Sequence, residues 1–328
     1  MMQFLKRVPM ALCGLILGLE SLGNLLLMTG FSAVGNFLGL IGMLLMAVIL
    51  VKVCLSFASV YQELLDPLKS GTLPTFTMAL MLIAMYWQRW GWTHFALALW
   101  LAAILGHLTI MAAFIWVNLL ARKPALTEVY PSWFVMFVGL GVIPVSAKLF
   151  IPMIGQIFFW LALALYLLVF PIVFLRLFRH SKLPAGALPL LTIIAAPASL
   201  CLTGYLNSFS SINQIFAVAL GIFAQSLYIA TLVLLGKIYF SGRHSLFDFY
   251  PSFAAFTFPL VISATALTTL LTRLQVNSSL ILLARLELIA AIIGVTYVLV
   301  MYLKFLIGLV KTQVGSVPDV AARESEEE

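Results

Sequence analysis

Charged residues are scarce in this chain of 328 residues. Asp, Glu, Lys and Arg together make up 9% of the sequence, while apolar residue types make up 63%. Soluble globular domains contain about a quarter charged and about half apolar residues. A water-soluble fold of this length could not bury so many apolar side chains, so the composition excludes a soluble enzyme or a soluble binding domain.

Cysteine is equally sparse, and the common catalytic motifs are missing. Cys13, Cys54 and Cys201 stand apart in apolar stretches, which excludes a disulfide framework or a metal site built on paired cysteines. The sequence has no phosphate-binding glycine loop, no His-Glu-x-x-His motif and no serine elbow. We therefore expect no enzymatic activity, no metal and no cofactor.

Long apolar runs take the place of these motifs. A bilayer core about 30 Å thick requires about 20 apolar residues per helix, and lipid offers no hydrogen-bond partner to an unpaired backbone, so each run must be helical. The sequence predicts an all-α integral membrane protein with ten transmembrane helices in a single domain over residues 1–314. The predicted spans are residues 8–28, 33–58, 74–88, 93–120, 132–150, 155–178, 187–206, 211–238, 251–272 and 279–309.

Basic residues indicate the orientation of these helices. If the N-terminus is cytoplasmic, fourteen of the 18 Lys and Arg residues fall on the cytoplasmic side, and ten helices return the C-terminus to that side. The net charge of +7 therefore reflects membrane topology, and we expect no nucleic-acid partner. Residues 59–73 are expected to form a solvated connector. Residues 315–328 are acidic and poor in apolar side chains, which predicts a disordered cytoplasmic tail.

Prolines suggest an internal repeat. The odd-numbered helices each begin at or just after a proline, namely Pro9, Pro74, Pro131, Pro189 and Pro251. Proline suits the first turn of a helix, so this placement favours five repeats of one helical hairpin, although any array of paired spans repeats at a similar length. Pro144, Pro197 and Pro259 lie inside later odd helices and predict kinks. We expect five kinked odd helices around a central pore and five even helices outside them.

Small and hydroxyl-bearing residues on the odd helices are the candidates for the pore wall. They are Gly14, Gly18, Thr77, Gly139, Gly141, Ala195, Ala198, Thr257 and Ser263. For each glycine or alanine the alternative is a helix–helix packing contact, and each hydroxyl could instead bond to its own helix backbone. No helix carries a stack of basic residues, so an anion path here would depend on weak dipoles, helix ends and positively charged loops.

The ionisable candidates within predicted spans are Glu20, His107, Lys148, Arg285 and Glu287. Charge inside a bilayer is costly, so each is a functional candidate. We expect the long side chains of Lys148 and Arg285 to reach the membrane surface. Glu20 lies in the middle of the first span, where it is either a carboxyl group bonded to a neighbouring helix or a protonatable group that couples transport to protons.

Several segments resemble the tellurite-resistance and dicarboxylate transporter family, which includes bacterial TehA and the plant guard-cell slow anion channel. The most specific are Ala255-Phe-Thr-Phe258 and Ala195-Ala-Pro-Ala198 followed by Gly204-Tyr205, and weaker ones are Leu17-Gly-Leu19 and Pro131-Ser-Trp-Phe134. The resemblance implies a homotrimer of ten-helix protomers, each with its own pore through the five odd helices. It also implies that Phe258, which precedes Pro259, plugs the pore.

The expected function follows from this resemblance: a gated channel that conducts small monovalent anions such as chloride and nitrate, in a bacterial plasma membrane. The alternative is a proton-coupled or facilitative transporter of malate, sulfite or tellurite-type oxyanions, with Glu20 as the coupling group, since the matched family positions are small or apolar where this chain has Glu20. A third possibility is a membrane scaffold or sensor that transports nothing. The kinked, glycine-rich odd helices argue against it, because a scaffold has no need of a lumen.

Overall fold

The computed structural model describes residues 2–180, 182–240, 245–276 and 279–314, and this part of the chain is helical with no β-strand. The predicted tail, residues 315–328, lies outside the described residues. The α-helices in these ranges are α1 (Met2–Arg7), α2 (Leu12–Met28), α3 (Ser32–Leu55), α4 (Phe57–Leu65), α5 (Pro67–Ser70), α6 (Thr75–Arg89), α7 (Thr93–Phe114), α8 (Trp133–Val138), α9 (Val142–Ser146), α10 (Pro152–Arg179), α11 (Ala196–Ser208), α12 (Gln214–Phe240), α13 (Phe258–Arg273) and α14 (Leu280–Val314).

Eight helical segments within the described ranges are long and apolar enough to cross a membrane. They are Ser32–Leu55, Pro67–Arg89, Thr93–Ala121, Pro152–Arg179, Ala185–Ser208, Gln214–Phe240, Pro251–Arg273 and Leu280–Lys311. The remaining two predicted spans correspond to shorter apolar segments, Leu12–Met28 and Trp133–Leu149. The first is shortened because α2 begins only at Leu12, and the second is broken by 3₁₀ turns at Gly139–Gly141 and Ala147–Leu149.

Burial divides these segments into two classes. In their most apolar windows, between 72% and 89% of residues are buried in Pro67–Arg89, Ala185–Ser208 and Pro251–Arg273, against 22% to 28% in the other five long segments. The residues of α2 and of Trp133–Leu149 are also mostly buried. The odd-numbered segments therefore lie inside, and the even-numbered ones expose much of their apolar surface.

Helix contacts give the arrangement of the inner class. α2 packs against α6, α6 against α9, α9 against α11, α11 against α13, and α13 against α2, so the inner segments contact one another in a closed cycle. Each inner segment also packs against the outer helix that follows it in the chain: α2 against α3, α6 against α7, α9 against α10, α11 against α12, and α13 against α14.

The inner segments change their helical type part-way along. A 3₁₀ helix over Ala185–Ala195 passes into α11, and another over Pro251–Phe256 passes into α13. Pro197 and Pro259 lie in the first turn of the new α-helix, where a missing N–H is tolerated. Pro144 lies within α9, directly after the 3₁₀ turn Gly139–Gly141. The interior prolines thus mark junctions between helix types.

Two glycines allow α2 and the segment before α13 to approach closely. A Cβ atom at Gly14 would lie 2.9 Å from the Cβ of Ala254, and one at Gly18 would overlap the side chain of Thr257. The Thr257 hydroxyl donates to the carbonyl oxygen of Gly14 at 2.9 Å and to that of Ala254 at 2.7 Å. This contact fixes the backbone immediately before Phe258.

Replacing Gly18 by Ala should destabilise the protein by about 1–3 kcal/mol, because the added methyl group collides with a hydrogen-bonded side chain in a packed interface. Gly236→Ala on α12 is the matched control, since its Cβ would approach no atom closer than 3.8 Å. Thermal denaturation of the purified variants in detergent measures the difference. Equal melting temperatures for the two variants would show that the α2–α13 contact is not tight.

Candidate functional site: three cavities along the inner helices

A small apolar cavity lies among the inner segments. This central cavity has a volume of about 60 Å³, enough for only a few water molecules. Every inner segment contributes to its wall, which includes Leu17, Met78, Val138, Leu200 and Phe258. No charged side chain in the described part of the chain lines it.

A wider cavity of about 440 Å³, the N-terminal mouth, lies at the N-terminal ends of the inner segments. It shares four wall residues with the central cavity, Ala11, Thr72, Leu190 and Ser252, so the two spaces adjoin. Its charged wall residues are Lys6, Arg7, Lys69 and Glu63. Cations thus predominate at this end.

A third cavity of about 460 Å³, the C-terminal mouth, lies at the opposite ends of the same segments. Its charged wall residues are Arg89 and Lys148. It shares only Leu200 and Phe258 with the central cavity. These two side chains form the boundary between the central cavity and the C-terminal mouth.

Backbone geometry accounts for the positions of Phe258 and Leu200 at this boundary. Phe258 is the first residue of α13, follows the non-helical Thr257 (φ −98°, ψ −83°) and has a side chain that is 7% exposed. Leu200 lies on α11 against Gly141, where a Cβ atom would come within 2.8 Å of the Leu200 Cγ. The absence of a side chain at Gly141 therefore leaves the space that Leu200 occupies.

Comparison with known proteins agrees with this architecture. A family model described as voltage-dependent anion channel, SLAC1, matches residues 7–303. The chain belongs to this family. The family is the one that includes TehA, which confirms the resemblance found in the sequence, and its members are anion channels or transporters, not enzymes. No curated protein matched the chain.

Some of the residues that the sequence predicted to line the pore, to gate it or to kink its helices line the central cavity of this SLAC1-family protein. They are Gly14, Gly139, Pro197, Phe258 and Pro259. The others contribute to the wall of none of the three cavities, namely Gly18, Thr77, Gly141, Pro144, Ala195, Ala198, Thr257 and Ser263. Gly14 lines the central cavity and also takes part in the helix contact with Thr257, whose hydroxyl donates to the Gly14 carbonyl oxygen.

The hydroxyl groups in this second set are engaged elsewhere. The Thr77 Oγ1 lies 2.9 Å from the Pro74 carbonyl oxygen and 3.0 Å from Nδ1 of His107 on outer helix α7. The Ser263 hydroxyl donates to the Pro259 carbonyl at 3.0 Å and lies 3.2 Å from the Ser199 hydroxyl. These bonds satisfy backbone and side-chain groups between helices.

Glu20 is fully buried between α2 and α3. A Cβ atom at Gly42 of α3 would overlap its carboxylate, and neither carboxylate oxygen has a hydrogen-bond partner among the described residues. Glu287 lies farther out, between α14 and α12, with Oε2 3.5 Å from Nε2 of Gln225. Neither carboxylate contributes to the wall of the central cavity or of either mouth.

Sequence reasoning overlooked an ion pair beside the N-terminal mouth. Lys52 of α3 is fully buried, lies 2.9 Å from the Glu63 carboxylate and donates to the Val8 carbonyl oxygen. Glu63 also accepts from the backbone N–H of Met10 at 3.1 Å. The predicted solvated connector thus provides a partly buried carboxylate that holds the start of α2 and neutralises a buried cation.

Breaking this pair should be costly. Glu63→Gln leaves the buried Lys52 ammonium without its carboxylate, and we expect a loss of about 3–5 kcal/mol in the free energy of unfolding. Glu128→Gln removes a 3.9 Å pair with Arg122 at an exposed site and should cost about 0–1 kcal/mol. Thermal denaturation compares the two variants, and a Glu63→Gln protein as stable as Glu128→Gln would rule out a structural role for the pair.

Proposed function

We propose that this SLAC1-family chain is a channel for small monovalent anions such as chloride and nitrate. The path runs from the N-terminal mouth through the central cavity to the C-terminal mouth. The observation that supports it most directly is the common wall of the three cavities, which joins them end to end along the inner helices. In this proposal the eight long and two shorter apolar segments make ten crossings in five hairpins.

Phe258 and Leu200 form the proposed gate. A narrow apolar stretch excludes ions because it does not hold enough water to hydrate them. The central cavity is such a stretch, and Phe258 and Leu200 are the residues that line both it and the C-terminal mouth. Removing the Phe258 ring would join the two spaces and admit water.

Positively charged side chains favour anions at both ends of this path. Lys6, Arg7 and Lys69 stand at one mouth and Arg89 and Lys148 at the other, while Glu63 is paired with Lys52. Clefts lined by one sign of charge concentrate the opposite ion. The absence of charge from the wall of the central cavity allows an anion to leave again, which conduction requires.

The alternative is a proton-coupled carrier of malate, sulfite or tellurite-type oxyanions with Glu20 as the coupling group. Such a carrier needs a protonatable group that contacts the transported anion or its gate. Glu20 packs against Gly42 and lines none of the three cavities. Anion uptake that requires a pH gradient and is lost in Glu20→Gln would favour the carrier over the channel.

We also propose that the protein is a homotrimer with one path per chain. The family resemblance supports this assembly, and the inner segments that line the central cavity contact one another in a closed cycle within one chain. Native mass spectrometry of the detergent-solubilised protein tests this assembly. The expected result is one complex that contains three chains of 36.1 kDa each.

Phe258→Ala should raise the chloride conductance of proteoliposomes by about tenfold or more, since each 1.36 kcal/mol taken off a barrier is tenfold in rate. Leu200→Ala should give a smaller rise because it removes a smaller group from the same boundary. Phe178→Ala, at an exposed position on α10, is the control for loss of a phenyl ring. Wild-type conductance in Phe258→Ala would exclude this residue as the gate.

Native cysteines provide a test of membrane orientation. Cys54 is exposed near the end of α3, while Cys13 and Cys201 are buried. The distribution of basic residues places Cys54 on the cytoplasmic side. A membrane-impermeant maleimide should therefore label wild-type protein in inverted vesicles but not in intact cells, and Cys54→Ser should abolish the labelling. Labelling from outside intact cells would reverse the assigned topology.

A further inference from the structure

The two mouths differ in how their charges are balanced. Glu63 and Asp66 lie at or beside the N-terminal mouth, where they pair with Lys52 and Lys69. No carboxylate of the described residues lines the C-terminal mouth, whose charged wall residues are Arg89 and Lys148. The C-terminal mouth thus has two cationic side chains and no internal counter-ion.

Arg89 is held in place at the wall of this mouth. Its Nη1 donates to Oδ1 of Asn24 at 2.6 Å, and the Asn24 amide donates in turn to the Glu20 carbonyl oxygen at 2.7 Å. The guanidinium also lies 5.8 Å from the centre of the Tyr86 ring. These contacts use one of the five N–H donors of Arg89. The other donors lie in the plane of the guanidinium, a geometry that suits two oxygens of one anion.

Lys148 faces the same cavity from another inner segment. Its side chain is exposed, and it makes no hydrogen bond or ion pair with any residue that the structure describes. The three ammonium N–H groups are therefore available to a ligand. Arg89 is held in place by its hydrogen bond, whereas Lys148 has no partner among the described residues. The Lys148 side chain can therefore move towards an anion that Arg89 has bound.

Two neutral polar side chains of this mouth are already engaged with the protein. The Thr265 hydroxyl donates to the Val261 carbonyl at 2.8 Å, and the Asn207 amide donates to the Val145 carbonyl at 2.9 Å. The two cations are consequently the main groups that can recognise an anion here. Two positive charges on separate segments match an anion with two charges and several oxygens better than a single halide ion.

We propose that the C-terminal mouth is a binding site for a divalent oxyanion of the sulfate or phosphate type, which Arg89 and Lys148 hold above the Phe258 gate. The mouth, at about 460 Å³, accepts such an ion, whereas the apolar central cavity of about 60 Å³ offers it neither charge nor hydrogen bonds. The bound oxyanion therefore stays at the mouth and blocks the path of the smaller anions. The blocking role rests on the proposed channel function, whereas the binding does not.

Equilibrium binding of radiolabelled sulfate to the wild-type protein in nanodiscs tests the site without any need for conduction. We expect saturable binding that weakens by about tenfold or more in Arg89→Gln and in Lys148→Gln, since hydrogen-bonded charge pairs contribute about 1.5–3 kcal/mol each. Arg285→Gln is the matched control, because Arg285 is an exposed cation at the same end of the helices but outside the mouth. No saturable binding, or equal binding in all four proteins, would overturn the site.

A second measurement tests the block itself. In the conducting Phe258→Ala channel, sulfate on the C-terminal side should reduce chloride current, and adding Arg89→Gln or Lys148→Gln should relieve the block. Sulfate on the N-terminal side should have little effect. Equal block from both sides would refute block at this mouth even if binding were observed. If no variant conducts while sulfate still binds, the channel function fails and the binding site stands.

Discussion

Every backbone polar group inside a bilayer must find its partner within the protein, and the inner segments meet this constraint at the points where their helices change type. The junctions before α11 and α13 interrupt the regular hydrogen-bond ladder. Hydroxyl side chains then bond to nearby carbonyls: Thr257 to Gly14 and Ala254, Ser263 to Pro259, and Ser199 to Ala195. Close helix contacts at Gly14 and Gly18 make the Thr257 bridge possible. Gly14, Ala254 and Pro259, whose carbonyl oxygens accept these bonds, line the central cavity.

The same junctions lie beside the proposed gate. Phe258 begins α13 directly after Thr257, so its ring stands next to a backbone that the Thr257 hydroxyl anchors to α2. Leu200 lies opposite on α11, in the space left at Gly141. Among the described residues that line the three cavities, by contrast, charged side chains occur only in the two mouths, where water can hydrate them. In the proposed path, the attraction of anions at the two ends is thus separate from the resistance to their passage near the middle.

Sequence reasoning predicted the all-helical membrane class, because hydropathy indicates which segments cross a bilayer. It predicted the alternation of inner and outer helices because the prolines distinguish the odd helices from the even ones. It reached Phe258 only through the family motif. Nothing in the sequence singled out Leu200, since no motif distinguishes it from the other leucines of an apolar helix. Thr77 was nominated for the pore, but its hydroxyl lies next to His107. Spacing along one helix cannot tell which neighbour a side chain faces, and the Lys52–Glu63 pair joins a predicted membrane span, residues 33–58, to the connector that follows it.

The small volume of the central cavity also governs how the molecule would sense a membrane voltage. Two wide mouths filled with electrolyte conduct well, so in the proposed path nearly all of the potential falls across the short dry stretch between them. An anion that passes Phe258 then crosses most of the electrical distance in one step, with about 2.3 kcal/mol gained or lost per charge for each 100 mV. Ions waiting in either mouth feel almost none of the field, and the local electric field at the ring far exceeds the average across the bilayer.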